Sequence, residues 1–194
     1  MNERKYRMTA RADAAELTGE RIVDAMLERL RTTPYERVRI DDVAADAGVS
    51  AQTVIRRFGG KPTLMTTTVE RELGRIAATR EAAVRSTPGE TVRALVEHYE
   101  RYGLLILKTY AEAPLVPGLP QIVSRGRAYH VDWCRRAFTE HVAPGSDEPT
   151  RERRLAQIVA VCDATTWRIL RYDGGLDPES TEQAISELLI PLLR

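Results

Sequence analysis

The sequence predicts an all-α fold: an N-terminal three-helix helix-turn-helix domain over residues 1–66, then a helical C-terminal domain over 67–194. Three observations carry this. Apolar residues recur at i, i+3 and i+4 along nearly the whole chain, the spacing of a helix with one buried face. Strand signals are missing: no alternating β-branched run lasts, and no Asn-Gly hairpin turn occurs. Prolines and glycines fall between the periodic stretches, where helices start and stop.

In order, "RIVDAMLERL" at 21–30 places Ile22, Val23, Met26, Leu27 and Leu30 at helical spacing. This helix is expected to stop near Thr33, because Pro34 disfavours helical backbone before it. "IDDVAADAG" reads as a short second helix, capped by Asp41 or Asp42 and turned by Gly48. "AQTVIRRF" is a third, with Ser50 as its N-cap, and Val54, Ile55 and Phe58 are expected on its docking side. Gly59-Gly60 breaks the chain, and Pro62 suits the first turn of a fourth helix. "STPG" at 86–89 ends that helix, and a long one follows over roughly 90–112. "APLVPGLP" at 113–120 is expected to be an irregular loop. The stretch from Gln121 to Val142 holds one helix or two broken near Gly126. The last two helices are expected at about 151–172 and 178–193.

Composition narrows the function. The formal net charge is only +1, so bulk charge announces no polyanion partner. Its distribution says more: Arg56, Arg57 and Lys61 stand in residues 50–61 without an acid, and Arg4, Lys5, Arg7 and Arg11 form a basic N-terminal arm. Cys134 and Cys162 have no CxxC spacing, which argues for a reducing compartment and against a disulfide framework or zinc site. The N-terminus lacks the apolar stretch of a secretory signal, and no apolar run approaches a membrane span. The expected location is cytoplasmic, with no membrane partner. His98, His130 and His141 lack metal-ligand spacing, and no GxSxG, GxGxxG or phosphate-loop motif occurs. No enzyme, metal or cofactor is expected.

The third helix raises the functional question. It carries Gln52, Thr53, Arg56 and Arg57 outward and no acid, behind a tight glycine turn, the pattern of a helix-turn-helix. Residues 18–70 resemble the N-terminal domain of the tetracycline-repressor (TetR) family of transcription factors. The resemblance lies in "RIVDAMLERL", "IDDVAADAGVS", "TVIRRF" and "GGKPTL", in the family's order and spacing. It is specific for about 50 residues and architectural beyond them. It implies a sequence-specific DNA-binding regulator of transcription, a repressor released by a small molecule, whose partners are double-stranded operator DNA and a second copy of itself. The candidate DNA-binding residues are Ser50, Gln52, Thr53, Arg56, Arg57 and Lys61. Gln52 and Thr53 stand at the end of the recognition helix that reaches base edges, and a glutamine amide pairs with adenine. Arg56 and Arg57 suit phosphate or guanine; Lys61, at the mouth of the fourth helix, suits phosphate. The sequence departs from the family pattern at Ile55, where a tyrosine that reaches phosphate is usual. Ile55 either joins the core or touches a thymine methyl. The basic arm reads as a disordered tail before a second DNA contact.

For the C-terminal domain the resemblance implies effector binding and dimerisation. The candidate dimer interface is Leu155, Ile158, Cys162, Ile185, Leu188 and Leu189 on the last two helices. One recognition helix alone buries too little DNA for tight binding, which also favours a dimer. The candidate ligand-binding residues are Tyr99, Tyr102, Ile106, Tyr129, Trp133, Asp163 and Trp167. Aromatic-lined clefts with few polar anchors take small apolar or aromatic effectors, and Asp163 would select a cationic or hydroxyl group. Two alternatives stay open: a ligand-independent regulator with these rings as core, and an all-α small-molecule-binding protein without DNA function.

Overall fold

The computed structural model describes residues 3–81, 87–138, 140 and 147–193, with side chains from residue 13 onward. Nine α-helices span the described residues: α1 Glu3–Thr32, α2 Ile40–Asp46, α3 Ala51–Phe58, α4 Lys61–Glu81, α5 Pro88–Glu112, α6 Leu119–Phe138, α7 Glu148–Val161, α8 Ala164–Arg168 and α9 Pro178–Leu189. None of them is long and apolar enough to cross a membrane. The chain divides into two compact units, one of residues 1–72 and 112–122, the other of 73–111 and 123–194. The first dividing point lies within α4, beyond the expected 66/67 boundary. A continuous helix leaves no mark in the sequence where one unit gives way to the other.

In the first unit, Ile22, Met26 and Leu30 of α1 are buried, as are Val43 and Ala44 of α2, Val54 of α3, and Leu64 and Met65 of α4. α2 packs on both α1 and α3. A forked ion pair pins α1 to α2: Arg29 Nε donates to Asp46 Oδ2 at 2.6 Å and Arg29 Nη2 to Asp46 Oδ1 at 3.0 Å. That bond is the first cause holding the Asp46 carboxyl below the usual carboxylate range. Two expectations are corrected here. α1 runs unbroken from Glu3, so the segment of the basic arm is helical rather than a disordered tail; its side chains lie outside the described residues. α2 starts at Ile40 with Arg39 at the cap position, so Asp41 and Asp42 fall in its first turn instead of capping it. There they still favour the positive end of the helix dipole.

In the second unit, α5, α6, α7, α8 and α9 close on a core that includes Val92, Leu95, Tyr99, Trp133, Phe138, Ile158, Cys162, Trp167, Ile185 and Leu189. Capping residues fix the helix starts. Asp147 accepts from Thr150 N at 2.9 Å and Asp177 from Ser180 N at 2.7 Å, each followed closely by a proline in the first turn. The expected single helix over 151–172 is broken at Cys162–Asp163. Asp163 Oδ1 accepts from Thr165 N at 2.8 Å and restarts the chain as α8. A short acidic side chain competes in this way for backbone N–H groups. α8 then widens into a π turn over Ile169–Asp173.

The three-proline segment is more regular than expected. Ala113–Leu115 is a 3-10 turn, and α6 begins at Leu119 with Pro120 in its first turn. α6 passes Gly126 without interruption.

Candidate nucleic-acid interface and C-terminal aromatic cluster

The turn between α2 and α3 is built from three local devices. Gly48 adopts φ 65°, a left-handed conformation that costs side-chain-bearing residues about 1–2 kcal/mol. Val49 N donates to Ala44 O at 2.9 Å, which folds the chain back. Ser50 Oγ then accepts from Thr53 N at 3.2 Å and lies 3.0 Å from Thr53 Oγ1. The cap thus also holds the Thr53 hydroxyl. At the other end, Gly59 closes α3 at φ 78°, its N–H bonded to Ile55 O at 2.8 Å.

Only Val54 of α3 is fully buried, with Phe58 partly covered. Ser50, Gln52, Ile55, Arg56 and Arg57 are exposed, and Thr53 is half-buried. Ile55 is 50% exposed, so the expectation that it joins Val54 and Phe58 on the docking side is corrected. One residue step, about 100° of rotation, carries it out onto the polar face.

Lys61 differs from its expected role. Its Nζ donates to three carbonyls, Tyr35 at 3.0 Å, Val38 at 3.0 Å and Glu36 at 3.3 Å, and lies 4.3 Å from the centre of the Tyr35 ring. An ammonium has three protons, and all three have acceptors. Lys61 fastens the turn between α1 and α2 to the start of α4, and it is not poised for phosphate. Tyr35 N in turn donates to Glu112 Oε1 at 2.9 Å. Lys61→Met leaves these carbonyls without their charged donor and is expected to cost about 2 kcal/mol. Urea unfolding followed by far-ultraviolet circular dichroism checks this; an unchanged midpoint would mean that water replaces the ammonium freely.

Arg57 is likewise partly committed. A Cβ added to Gly19 of α1 would fall on the Arg57 guanidinium, which rests on the bare Gly19 backbone. In the sequence Gly19 stands only as a glycine inside a helix. A glycine inside a helix costs roughly 0.5–1 kcal/mol against alanine, and that unexplained cost was the available signal.

In the second unit four of the five predicted aromatics donate a hydrogen bond. Tyr99 Oη donates to Cys162 O at 2.8 Å, Tyr129 Oη to Ala77 O at 3.1 Å, Trp133 Nε1 to Arg80 O at 3.1 Å and Trp167 Nε1 to Glu100 Oε1 at 2.8 Å. Burial pushes the Tyr99 phenol far above its usual range. Tyr102 is buried beside His98, their ring centres 5.2 Å apart, and Ile106 is partly buried against the core. Asp163 spends one carboxylate oxygen on the α8 cap, so it does not stand as a free anchor. Trp167 lies against Gly103 of α5, where a Cβ would come within 2.8 Å of its Cε3 and Cη2.

What the aromatic pattern hid is Arg80, buried at 6% exposure on α4. Its guanidinium lies 4.0 Å from the Trp133 ring centre and 6.0 Å from those of Tyr99 and Tyr129. Its Nη2 stands 3.2 Å from His130 Nδ1. Arginine only donates, so His130 Nδ1 accepts and its proton sits on Nε2, which donates to Val159 O at 3.2 Å.

The proposed dimer residues separate. Ile158, Cys162, Ile185 and Leu189 are each 0–1% exposed and belong to the core of the subunit, which corrects their assignment to an interface. Leu155 is half-buried against that core. Leu188 is 49% exposed, and Ile190 is 45% exposed. Among the described residues, no three His, Cys, Asp or Glu side chains gather where a metal ion would need them.

Comparison with known proteins agrees with this geometry. Residues 22–66 match the family described as bacterial regulatory proteins, tetR family. A search of curated proteins returned no match. Among solved structures, the chain is similar to a transcriptional regulator from Rhodococcus sp. at 18% identity, covering 90% of this chain and 95% of that one with a TM-score of 0.73. It is similar to the transcriptional regulator FadR of Bacillus subtilis in complex with stearoyl-CoA at 19% identity, 88% and 97% coverage and a TM-score of 0.67. A Saccharomonospora viridis chain in complex with choline gives 18% identity, 88% and 94% coverage and a TM-score of 0.64. At such identities the likeness is one of fold, but the helix-turn-helix match is one of sequence. Residues 22–66 thus form an N-terminal domain matching that of the tetR family of bacterial regulatory proteins.

Proposed function

We propose that the chain is a homodimeric, sequence-specific DNA-binding repressor, acting in the cytoplasm and released from its operator by a small molecule. The observation that carries this is the outer face of α3. Gln52, Ile55 and Arg56 stand exposed on a helix without an acid, behind a glycine turn that presents it. Gln52 supplies an amide for adenine, Ile55 an apolar surface for a thymine methyl, and Arg56 a cation for phosphate or guanine. Arg57 serves phosphate from its seat on Gly19, and Lys61 serves the domain by holding its turn.

The dimer reading shifts to the outside of α7 and α9. Leu188 lies exposed on α9 and Ile190 in the turn just after it, with Ala156 and Ala160 exposed on α7. The effector reading is supported by the two neighbours that hold small molecules, one an acyl-CoA and the other a quaternary amine. Both tryptophans are buried in the core, which favours the ligand-independent alternative, but a buried cation beside one of them does not.

Band-shift titrations on the DNA upstream of its own coding sequence test the assignment. Arg56→Ala is expected to weaken binding on all sequences alike and flatten the salt dependence if it meets phosphate. Gln52→Ala is expected to lose about 1–3 kcal/mol of discrimination at a single base pair. Unaltered selectivity in Gln52→Ala refutes base reading by that residue.

A further inference from the structure

Among the described residues of the second unit, Arg80 is a buried cation whose hydrogen-bond partners are incomplete. Its Nη2 stands beside His130 Nδ1, and its Nε is buried without a hydrogen-bond partner. Both ring nitrogens of His98, 4% exposed, are also buried without partners. The His98 ring centre lies 5.3 Å from that of Tyr99, the ring that also stands 6.0 Å from the Arg80 guanidinium. Burial first, then the Arg80 charge, push the His98 imidazole down to about 3. It is therefore neutral at physiological pH and offers one N–H donor and one acceptor. A buried donor left unsatisfied costs about 1–3 kcal/mol, and more for a charged group. Cation–π contact with Trp133 offsets part of this but fills none of the in-plane N–H positions.

We propose that the effector is a monocarboxylic acid with an apolar or aromatic body, its carboxylate bound to Arg80 and hydrogen-bonded by His98. This rests on the effector reading above and narrows it. One guanidinium and a neutral imidazole balance a single negative charge, which fits a carboxylate better than a phosphate dianion. Tyr99, Tyr129 and Trp133, the rings around the guanidinium, suit an apolar body. An amine is excluded by the same charge, so the expectation that Asp163 selects a cation gives way to selection of an anion by Arg80.

One internal group competes for the role of counter-ion. Cys134 Sγ lies 3.8 Å from His130 Nε2. A hydrogen bond from the Cys162 thiol, followed by His130 and Arg80, pulls the Cys134 thiol below its usual range. If Cys134 were the resident anion, removing Arg80 would strand a buried thiolate.

Thermal unfolding of the full-length dimer separates these cases. The probes are benzoate, phenylacetate, indole-3-acetate, octanoate and palmitate, each paired with its primary amide and its primary amine. At least one acid is expected to raise the Tm of the wild type, as a ligand of the folded state must. Its amide and amine are expected to bind at least tenfold more weakly. Arg80→Met is expected to abolish that shift, and Arg80→Lys to keep part of it. Without ligand, Arg80→Met is expected to leave Tm unchanged or raise it by about 3 °C, since an apolar side chain replaces a buried charge whose partners are incomplete. The proposal is overturned if no acid shifts Tm, if the amides or amines match the acids, if Arg80→Met still binds the acid, or if Arg80→Met alone lowers Tm by more than about 5 °C. Operator release is read separately by band shift. An acid that binds through Arg80 but leaves the operator complex intact supports the charge assignment and removes the effector reading. A neutral or cationic compound that dissociates the complex does the reverse.

Discussion

Ile185→Glu is expected to abolish folding of the C-terminal unit, while Leu188→Glu yields a folded monomer. The two residues are three apart on α9, yet Ile185 is 0% exposed in the core and Leu188 is 49% exposed. A carboxylate at 185 would be buried among Val92, Leu95 and other apolar side chains of the same core, with no cation provided for it. The cost is on the order of 5 kcal/mol, comparable to the whole stability of many domains. At 188 the same charge stands in water in the subunit and meets apolar surface only when two copies pair. Light scattering with circular dichroism separates the outcomes: a folded dimer of Leu188→Glu would move the interface away from the outer face of α9.

Gly103→Ala is expected to destabilise the same unit by about 3 kcal/mol, an unusually large effect for one methyl group. The added Cβ would overlap the Trp167 ring, which is 1% exposed and fixed by its bond to Glu100. Glu100 is itself held by Arg171, whose Nε and Nη2 donate to its two oxygens at 2.7 and 3.0 Å. A flexible side chain would swing away; an indole locked at both face and edge has nowhere to go. A lowered urea midpoint and a shifted Trp emission maximum would report this. In an ordinary solvent-facing helix the same change would stabilise, because alanine favours helix over glycine by about 1 kcal/mol.

These cases show where the sequence was legible. The helix start at Ser50 is local chemistry, a short oxygen side chain bonding an N–H three residues on, and the sequence displays it; the caps at Asp147 and Asp177 are of the same kind, yet the expected start of α7 near 151 falls three residues late. The Gly48 turn is local in the same sense. Asp163, expected as a ligand anchor, caps α8 instead, its carboxylate bonded to an N–H two residues on rather than three. The fates of Lys61, Arg57 and Arg80 were not legible. Each depends on groups brought close by folding: the carbonyls of Tyr35–Val38, the bare backbone of Gly19 and the rings of α5 and α6. Periodicity found the apolar face of α9 correctly, but it does not say whether the subunit or a second copy covers that face. Ile185 and Leu189 went to the core, and Leu188 to the surface.

The central claim is that α3 reads DNA as one of a symmetric pair. Selection of bound sequences from a randomised duplex library by the wild-type protein tests it most directly. The account predicts enrichment of a two-fold-related sequence whose half-sites lie about one helical turn, or a multiple of it, apart. Enrichment is expected to vanish when Gln52, Ile55 and Arg56 are all replaced by alanine in a protein that remains folded and dimeric. Recovery of no preferred sequence, or of the same sequence by the triple variant, would contradict the account.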